Sequence, residues 1–160
     1  YRLIGYANRK LRPEDFKNDA IDAGELGSGH TVTALYEIIP TGVESSFNQD
    51  IADLKYSEIK IAPKNYSDEL ATIKFRYKKP DGEKSIEMIE TIKNNVLLLD
   101  KTSDDFKFSA AVAWFGLKLR DSKLVTNKTS KDIKALALQG KSKDEDGYRS
   151  EFIRLVEAVN

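Results

Sequence analysis

A chain of 160 residues has the length of one ordinary domain, and its 40% apolar and 32% charged residues exclude a disordered protein. The 26 basic residues balance the 26 acidic ones, which argues against nucleic acid or an anionic membrane as the main partner, since both favour a basic excess. Cysteine is absent, which excludes disulfides, thiolate catalysis and zinc–thiolate sites, and no apolar run reaches the roughly 18 residues of a membrane-spanning helix.

The first six residues, Y-R-L-I-G-Y, have the pattern of a strand. They lack the basic-then-apolar form of a signal peptide, and the sequence does not begin with methionine. We therefore expect the chain to be a piece of a longer protein.

Strand-like segments fill residues 1–98. Residues 11–16 contain a proline followed by two acidic residues, which predicts a short helix or turn. Residues 19–29 are glycine-rich and acidic, which predicts a loop. Residues 30–39 follow as a strand, and because apolar residues occur on both of its faces, we expect it to be covered on both sides.

The clearest alternation in the chain comes next. Residues 54–61 form a predicted strand whose alternation slips by one position, as at a β-bulge. Residues 71–78 alternate strictly, P-D-G follows at 80–82 as a turn, and residues 85–92 return as the partner strand. This pattern predicts a hairpin with one wet face. The residues predicted to face inward are Ala71, Ile73, Phe75 and Tyr77.

Residues 102–160 have the character of helices. The first predicted helix lies within residues 102–120, and either Thr102 or Ser103 can cap it. No residue from 109 to 117 is charged, so we expect protein to cover this helix on several sides.

Two further helices are predicted after it. The second covers residues 129–138, with Thr129 and Asp132 at the spacing of a capping box and Gly140 just past its end. The third covers residues 148–159. Its predicted apolar seam consists of Tyr148, Phe152, Leu155 and Val159.

Strands followed by helices favour the α+β class. We expect an antiparallel, sandwich-like sheet in residues 1–98 with about three helices of residues 102–160 packed on it. Because the first helix is too apolar for two other helices to cover, we predict a single domain over residues 1–160.

The glycine-rich loop is the candidate contact surface. Its glycines do not form a phosphate-binding loop, because a strand rather than a helix follows them. The segment is too polar for a core position, so we interpret it as a turn or a docking loop. The predicted partner-contact residues are Glu25, Ser28 and His30.

The remaining polar patterns predict structure rather than chemistry. His30 is the only histidine, and no G-x-S-x-G elbow accompanies it. The acidic run at 144–147 fails as a calcium loop, because Ile153 stands where a bidentate glutamate is needed, so we expect these acids to precede the last helix. The basic stripe at 74–79 is expected to pair with acids of the returning strand. The sequence thus predicts no catalytic, cofactor-binding or metal-ligating residue.

Three blocks carry a family resemblance. They are Y-R-L-I-G-Y-A-N-R at residues 1–9, D-A-G-E-L-G-S-G-H-T-V-T-A-L-Y-E-I at residues 22–38, and F-K-F-S-A-A-V-A-W-F-G-L-K-L-R with D-G-Y-R-S-E-F-I-R-L-V in the helical part. Together they resemble the C-terminal domain, of unknown function, that follows a von Willebrand factor A (VWA) domain in bacterial YfbK-type proteins. The resemblance covers nearly the whole chain.

This resemblance implies an exported protein, often a lipoprotein, with the VWA domain and its metal-ion-dependent adhesion site upstream. The D-x-S-x-S motif of that site is absent from these 160 residues, so none of its ligands carries over. Family members also usually have a strand before the first block.

We therefore expect a non-enzymatic accessory module that packs beside its own upstream VWA domain and presents it to a further protein partner. It would be extracytoplasmic, in the periplasm or at the cell surface, with a lipid anchor in the full-length protein. It would use no cofactor, bind no nucleic acid and contain no transmembrane segment. One alternative is a small-ligand-binding or hydrolytic domain with a site assembled from scattered carboxylates. Another is a spacer without a partner face.

Overall fold

The computed structural model describes residues 1–5, 12–21, 24, 27–40, 43 and 68–159. The strand predicted over residues 54–61 lies outside these ranges. In chain order, the elements are strand β1 (Arg2–Ile4), a 3₁₀ helix (Pro13–Lys17), β2 (Leu35–Glu37), β3 (Glu69–Tyr77), β4 (Ile86–Lys93), a second 3₁₀ helix (Leu99–Lys101), α1 (Asp104–Leu119), α2 (Ser130–Gln139) and α3 (Tyr148–Ala158). This mixture confirms the predicted α+β class. The described strands form two antiparallel pairs, β1 with β2 and β3 with β4.

The chain divides into two compact units. The helical unit comprises Tyr1–Lys10, Glu25–Glu37 and Val96–Asn160, and it contains β1, β2 and the three α-helices. The hairpin unit comprises Leu11–Gly24 and Ile38–Asn95, and it contains the first 3₁₀ helix, β3 and β4. That residues 1–160 form a single domain stays a prediction.

The helices of the helical unit begin where side chains cap them. The Ser103 hydroxyl accepts a hydrogen bond from the Phe106 N–H at 3.2 Å, which satisfies one of the free amides of α1. In α2 the Thr129 hydroxyl accepts a hydrogen bond from the Asp132 N–H at 3.3 Å, and it donates one to the Asp132 carboxylate at 2.7 Å. Both predicted caps are confirmed, with Ser103 rather than Thr102 at the first.

The core of the helical unit lies between the three helices. Phe152 of α3 stands edge-on to Phe108 and Phe115 of α1, with ring centroids 5.3 Å and 5.6 Å apart. Trp114 packs beside this core and donates its indole N–H to the Asn127 carbonyl at 2.7 Å. The buried apolar residues are Ala111, Phe115, Ile133, Leu136, Ala137, Ile153 and Val156.

The end of α2 approaches the start of α1 so closely that only glycine fits there. A β-carbon at Gly140 would lie 2.4 Å from the Phe108 nitrogen and 2.6 Å from the Asp104 carbonyl oxygen. Arg149 of α3 fastens this corner. Its guanidinium donates a hydrogen bond to the Gly140 carbonyl at 2.7 Å, pairs with Asp105, and lies 4.9 Å above the Phe108 ring.

The predicted seam of α3 is wrong at two of its four positions, while the other two pack against the core as predicted. Tyr148 and Leu155, which were expected to be inside, are 73% and 56% exposed, whereas Ile153 and Val156 are buried. The reason is Arg149, whose side chain occupies the first inward position of the helix and turns its neighbour Tyr148 outward.

The first strand pair is shorter than the sequence predicted. A strand covered on both sides was expected over residues 30–39, but only Leu35–Glu37 pair with β1, and Val32 is 68% exposed. Pairing ends at Ile4 with Leu35, because Gly5 has a φ of 80° and leaves the extended conformation there. Arg2 and Glu37 form an ion pair across the two strands.

The hairpin unit confirms the predicted hairpin and contradicts the predicted inward face. Phe75 pairs with Met88 and Tyr77 with Ile86, and the turn closes with a hydrogen bond from the Gly82 N–H to the Lys79 carbonyl at 2.9 Å. However, Ile73 and Phe75 are 50% and 52% exposed.

The segment that packs on this hairpin uses the opposite face. The Arg76 guanidinium lies 5.9 Å from the Phe16 ring and donates a hydrogen bond to Asp19 at 3.0 Å. Lys78 donates to the Asp19 carbonyl at 2.6 Å. The polar face is therefore the one that the first 3₁₀ helix and its following turn cover.

In the part of the chain that the structure describes, no helix is both long and apolar enough to cross a membrane.

Candidate functional site

The predicted contact loop is described only in part. Ser28 and His30 are exposed, while Glu25 lies outside the described residues. The His30 N–H donates to the Gly27 carbonyl at 3.1 Å, and the imidazole lies so close to Gly27 that a β-carbon there would meet its Nδ1 at 2.8 Å. His30 thus closes a tight turn. That this loop contacts a partner stays a prediction.

Carboxylates of the described residues serve as structural anchors. Hydrogen bonds from the Ser150 hydroxyl, and then from the backbone N–H groups of Arg149 and Ser150, lower the pKa of Asp144, which caps the start of α3. Hydrogen bonds from Asn127 and Thr129 lower the pKa of Asp132 at the start of α2. Both carboxylates therefore stay ionised to a lower pH than a free aspartate and hold hydrogen bonds at the starts of the two helices.

A further polar cluster joins Asp19, Arg76 and Ser85 in the hairpin unit. The Ser85 hydroxyl donates to the Asp19 carboxylate and, ahead of Arg76, lowers the pKa of Asp19. Arg76 also donates to the Ser85 hydroxyl at 3.1 Å. These hydrogen bonds occupy all three side chains of the cluster. The cluster ties the 3₁₀ segment to the hairpin.

No group of three or more histidine, aspartate or glutamate side chains among the described residues could hold a metal ion.

The concave feature of the helical unit is a groove of about 570 Å³ along α1, which we call the α1 groove. One wall is formed by β1 and the extended chain that leads into β2, and the other by the outer face of α1. The strand-side lining residues are Ile4, Gly5, Thr31, Val32, Thr33 and Leu35, and the helix-side residues are Phe108, Ser109, Val112, Ala113, Gly116, Leu117 and Arg120.

The α1 groove explains why the helix carries no charge between residues 109 and 117. Ala111 and Phe115 face the buried core, whereas Val112 and Gly116 line the groove, so the uncharged stretch serves two surfaces at once. Val112 remains 43% exposed there. The expectation that protein covers α1 on several sides is therefore met on the core side, and no residue of the described chain fills the groove on the other side.

The chemistry that the α1 groove offers is that of an apolar binding surface. Its lining contains the hydroxyls of Thr31, Thr33 and Ser109 and one charged group, the guanidinium of Arg120. No carboxylate and no histidine belongs to the described lining. These groups can bind and orient an apolar partner, and they offer no side chain that would transfer a proton near neutral pH.

Sequence reasoning missed the α1 groove, although one signal for it was present. Gly116 interrupts an otherwise apolar stretch of helix. Because glycine destabilises a helix, its presence there usually indicates close packing or a functional role. In the structure, a β-carbon added at Gly116 would meet nothing within 4 Å. The glycine is thus not explained by packing within the described part of the chain.

Comparisons with known proteins identify the family. The family model described as "Uncharacterized protein YfbK, C-terminal" matches residues 1–160. The chain belongs to this family. It is 40% identical over 161 residues to the Uncharacterized protein YfbK of Escherichia coli (strain K12).

That match covers 100% of this chain and 27% of YfbK, so the chain spans about a quarter of the length of its relative. The predicted resemblance to the C-terminal domain of YfbK-type proteins is confirmed. No solved structure matches the chain.

Proposed function

We propose that this YfbK-family domain is a non-catalytic accessory domain that docks against the part of its protein that precedes it. The observation that carries the proposal is the open apolar groove along α1. An apolar surface that lines a concavity and is left in contact with water is typical of a contact site. The preceding part is available as a partner, because the relative extends far beyond the matched segment.

In line with the resemblance, we take that preceding part to be a VWA domain. In this proposal the accessory domain packs beside the VWA domain and presents it to a further protein partner. We propose further, as the resemblance implies, that the protein lies outside the cytoplasm, in the periplasm or at the cell surface, with a lipid anchor in the full-length chain.

The absence of catalysis is part of the proposal. It is supported by the apolar lining of the α1 groove and by the structural roles of Asp19, Asp132 and Asp144, each of which is committed to hydrogen bonds within its own unit. A hydrolytic site would need carboxylates with separated pKa values in one cleft, and the groove lining described here supplies none.

A cleavage experiment on the full-length protein tests the proposal. A specific protease site is introduced just before β1, the folded protein is cleaved, and the two pieces are run on a size-exclusion column with and without magnesium. Docked pieces are expected to elute together, and dependence on magnesium would connect docking to the adhesion site. The experiment is then repeated with both pieces at a 100-fold higher concentration, which favours association by about 3 kcal/mol. Separate elution even at this higher concentration would contradict docking.

A second candidate function, the binding of a small apolar ligand, is favoured by the volume of the groove. About 570 Å³ falls within the roughly 300–1,000 Å³ range of small-molecule sites. A fluorescent apolar probe such as anilinonaphthalene sulfonate distinguishes the two functions. If the groove binds a small ligand, the intact protein should bind the probe as well as the cleaved and separated domain does. If the groove is occupied by the preceding part, only the separated domain should bind it.

A further inference from the structure

Gly116 is the position from which we infer what the α1 groove receives. Glycine is less favourable than alanine in a helix, because it loses more backbone freedom on folding. At Gly140 the fold explains the glycine, because a β-carbon would collide with the backbone of α1. At Gly116 a β-carbon would meet no atom of the described residues within 4 Å, and Gly116 lines the groove.

A notch of this kind suits the close approach of a second main chain. Ala113 lies one turn before Gly116 on the same wall. The side chains that project from the helix into the groove are therefore small at both positions. The same wall also contains the larger apolar side chains of Phe108 and Leu117. Val112 lies between them in sequence and is partly exposed.

The charge of the groove restricts the occupant further. Arg120 lies at the C-terminal end of α1, and no carboxylate in the described part of the chain pairs with it. It is the one charged group of the described lining. An occupant that carries a carboxylate at this end would complement it and would gain a charge-assisted hydrogen bond.

The source of the occupant follows from the position of β1. The matched segment is the C-terminal 27% of the relative, so the rest of that protein precedes β1. Ile4 and Gly5, at and just after the end of β1, are part of the groove wall. A preceding part joined through Tyr1, three residues before Ile4, keeps any segment of it at a high effective concentration near the groove.

We propose that the α1 groove holds an apolar segment from the preceding part of the protein, whose main chain lies against Gly116 and whose carboxylate pairs with Arg120. This inference rests on the proposed function and names the surface and the ligand chemistry of that docking.

The test uses the cleaved full-length protein, with the affinity between its two pieces measured by titration after separation. Gly116→Ala should weaken the affinity by about tenfold, because a methyl group would fill the notch. The same substitution should leave the urea midpoint of the C-terminal piece unchanged or raise it, because alanine favours the helix. A residue with a purely structural role would not show this combination.

Two charge substitutions complete the set. Val112→Lys should weaken the affinity by at least tenfold, because it buries an unpaired charge, and R120E should weaken it by about fivefold. Leu138→Lys is the matched control, since Leu138 is an apolar helix residue with 50% exposure that does not line the groove, and its affinity should stay within twofold of the wild type.

The outcomes separate the two proposals. If the wild-type pieces do not associate, the docking function and the groove assignment both fall. If they associate and either Val112→Lys or R120E binds like the wild type, docking stands and the groove assignment falls. A lowered urea midpoint in Gly116→Ala would make the glycine structural and would also overturn the assignment. The C-terminal piece could also elute as a dimer that Val112→Lys converts to a monomer. This result would show that the groove binds a second copy of the domain, and it would overturn the assignment.

Discussion

Gly140 and Gly116 show that the same residue type has opposite consequences at two positions of one helical unit. We predict that Gly140→Ala lowers the free energy of unfolding by about 2 kcal/mol or more, because the added carbon collides with backbone rather than with a side chain that could move. Urea denaturation followed by Trp114 fluorescence measures the change. The control is Gly116→Ala, which is expected to be neutral or to add up to about 1 kcal/mol. A neutral Gly140→Ala would contradict the close approach of α2 to α1.

Asp144 makes stability depend on pH in a defined direction. Its folded-state pKa is lowered by its hydrogen bonds, so its contribution is complete above the unfolded value of about 4 and is lost as the pH falls through the lower folded value. Asp144→Asn should therefore have a lower melting temperature than the wild type at pH 7, and the two values should converge below pH ~4. Glu145→Gln, an exposed neighbour, should follow the wild type throughout. A constant difference down to pH ~2 would show that the charge is not responsible.

Ile133 marks the centre of the core. Its side chain is fully buried, so Ile133→Ala should cost about 2–5 kcal/mol of unfolding free energy, through lost apolar burial and the cavity that remains. Leu138→Ala on the exposed side of the same helix should cost about 0.5 kcal/mol or less. Similar losses from the two substitutions would mean that α2 presents a different face to α1.

At the scale of elements, the helices could be predicted nearly to the residue, whereas the strands could not. A helix end is decided by groups within one turn, such as Ser103 with Phe106 or Thr129 with Asp132, and the sequence displays those groups directly. Strand length depends on a partner that is distant in sequence. Residues 30–39 have the alternation of a strand, yet β2 comprises only three residues because Gly5 ends the partner strand.

Which face an element buries was harder to predict than the element itself. On β3 the alternation gave the correct strand and the wrong covered face, because Arg76 can bind Phe16 and Asp19 at once and so draws the polar face under the 3₁₀ segment. On α3 Arg149 likewise takes the inward position at the start of the helix, where the sequence predicted Tyr148. Long cationic side chains with an apolar stem count as inward-facing residues in this protein.

The 3₁₀ segment should depend on Arg76. We predict that Arg76→Ala speeds amide hydrogen exchange in residues 15–21, since the substitution removes the hydrogen bond to Asp19 and the contact with Phe16. Mass spectrometry of the exchanged protein measures the rates. Lys74→Ala, two positions away on the same face of β3, should leave them unchanged. Equal protection in Arg76→Ala and the wild type would show that another contact holds the segment.

One wall of the α1 groove could be predicted from the sequence, and the other wall could not. The uncharged stretch of α1 and the presence of Gly116 are visible in the sequence and indicate a surface with special packing. The opposite wall is not visible, because Ile4 and Thr31 lie more than 70 residues before α1 in sequence and meet it only in the folded unit. The predicted contact residues Ser28 and His30 precede that wall by a few positions, and Glu25 lies outside the described residues.

At the scale of the whole molecule, the single tryptophan reports on one unit alone. Trp114 belongs to the helical unit, while the hairpin unit contains none. The prediction of a single domain over residues 1–160 requires one cooperative transition. The denaturant midpoint from Trp114 fluorescence should then equal the midpoint from hydrogen exchange in β3 and β4. Two separate midpoints would contradict a single domain.

The interruption of the helical unit has a consequence for the time course of folding. Its three stretches, Tyr1–Lys10, Glu25–Glu37 and Val96–Asn160, are separated by the two stretches of the hairpin unit. During synthesis the hairpin unit is complete once Asn95 has left the ribosome, whereas the pair of β1 and β2, whose residues are all made once Glu37 has emerged, still lacks α1. Bringing together segments so far apart in sequence slows folding, and until α1 arrives the strand residues that line the α1 groove have no opposite wall. The helical unit is therefore the last to form, and the early strands are the stretch that a chaperone would have to protect.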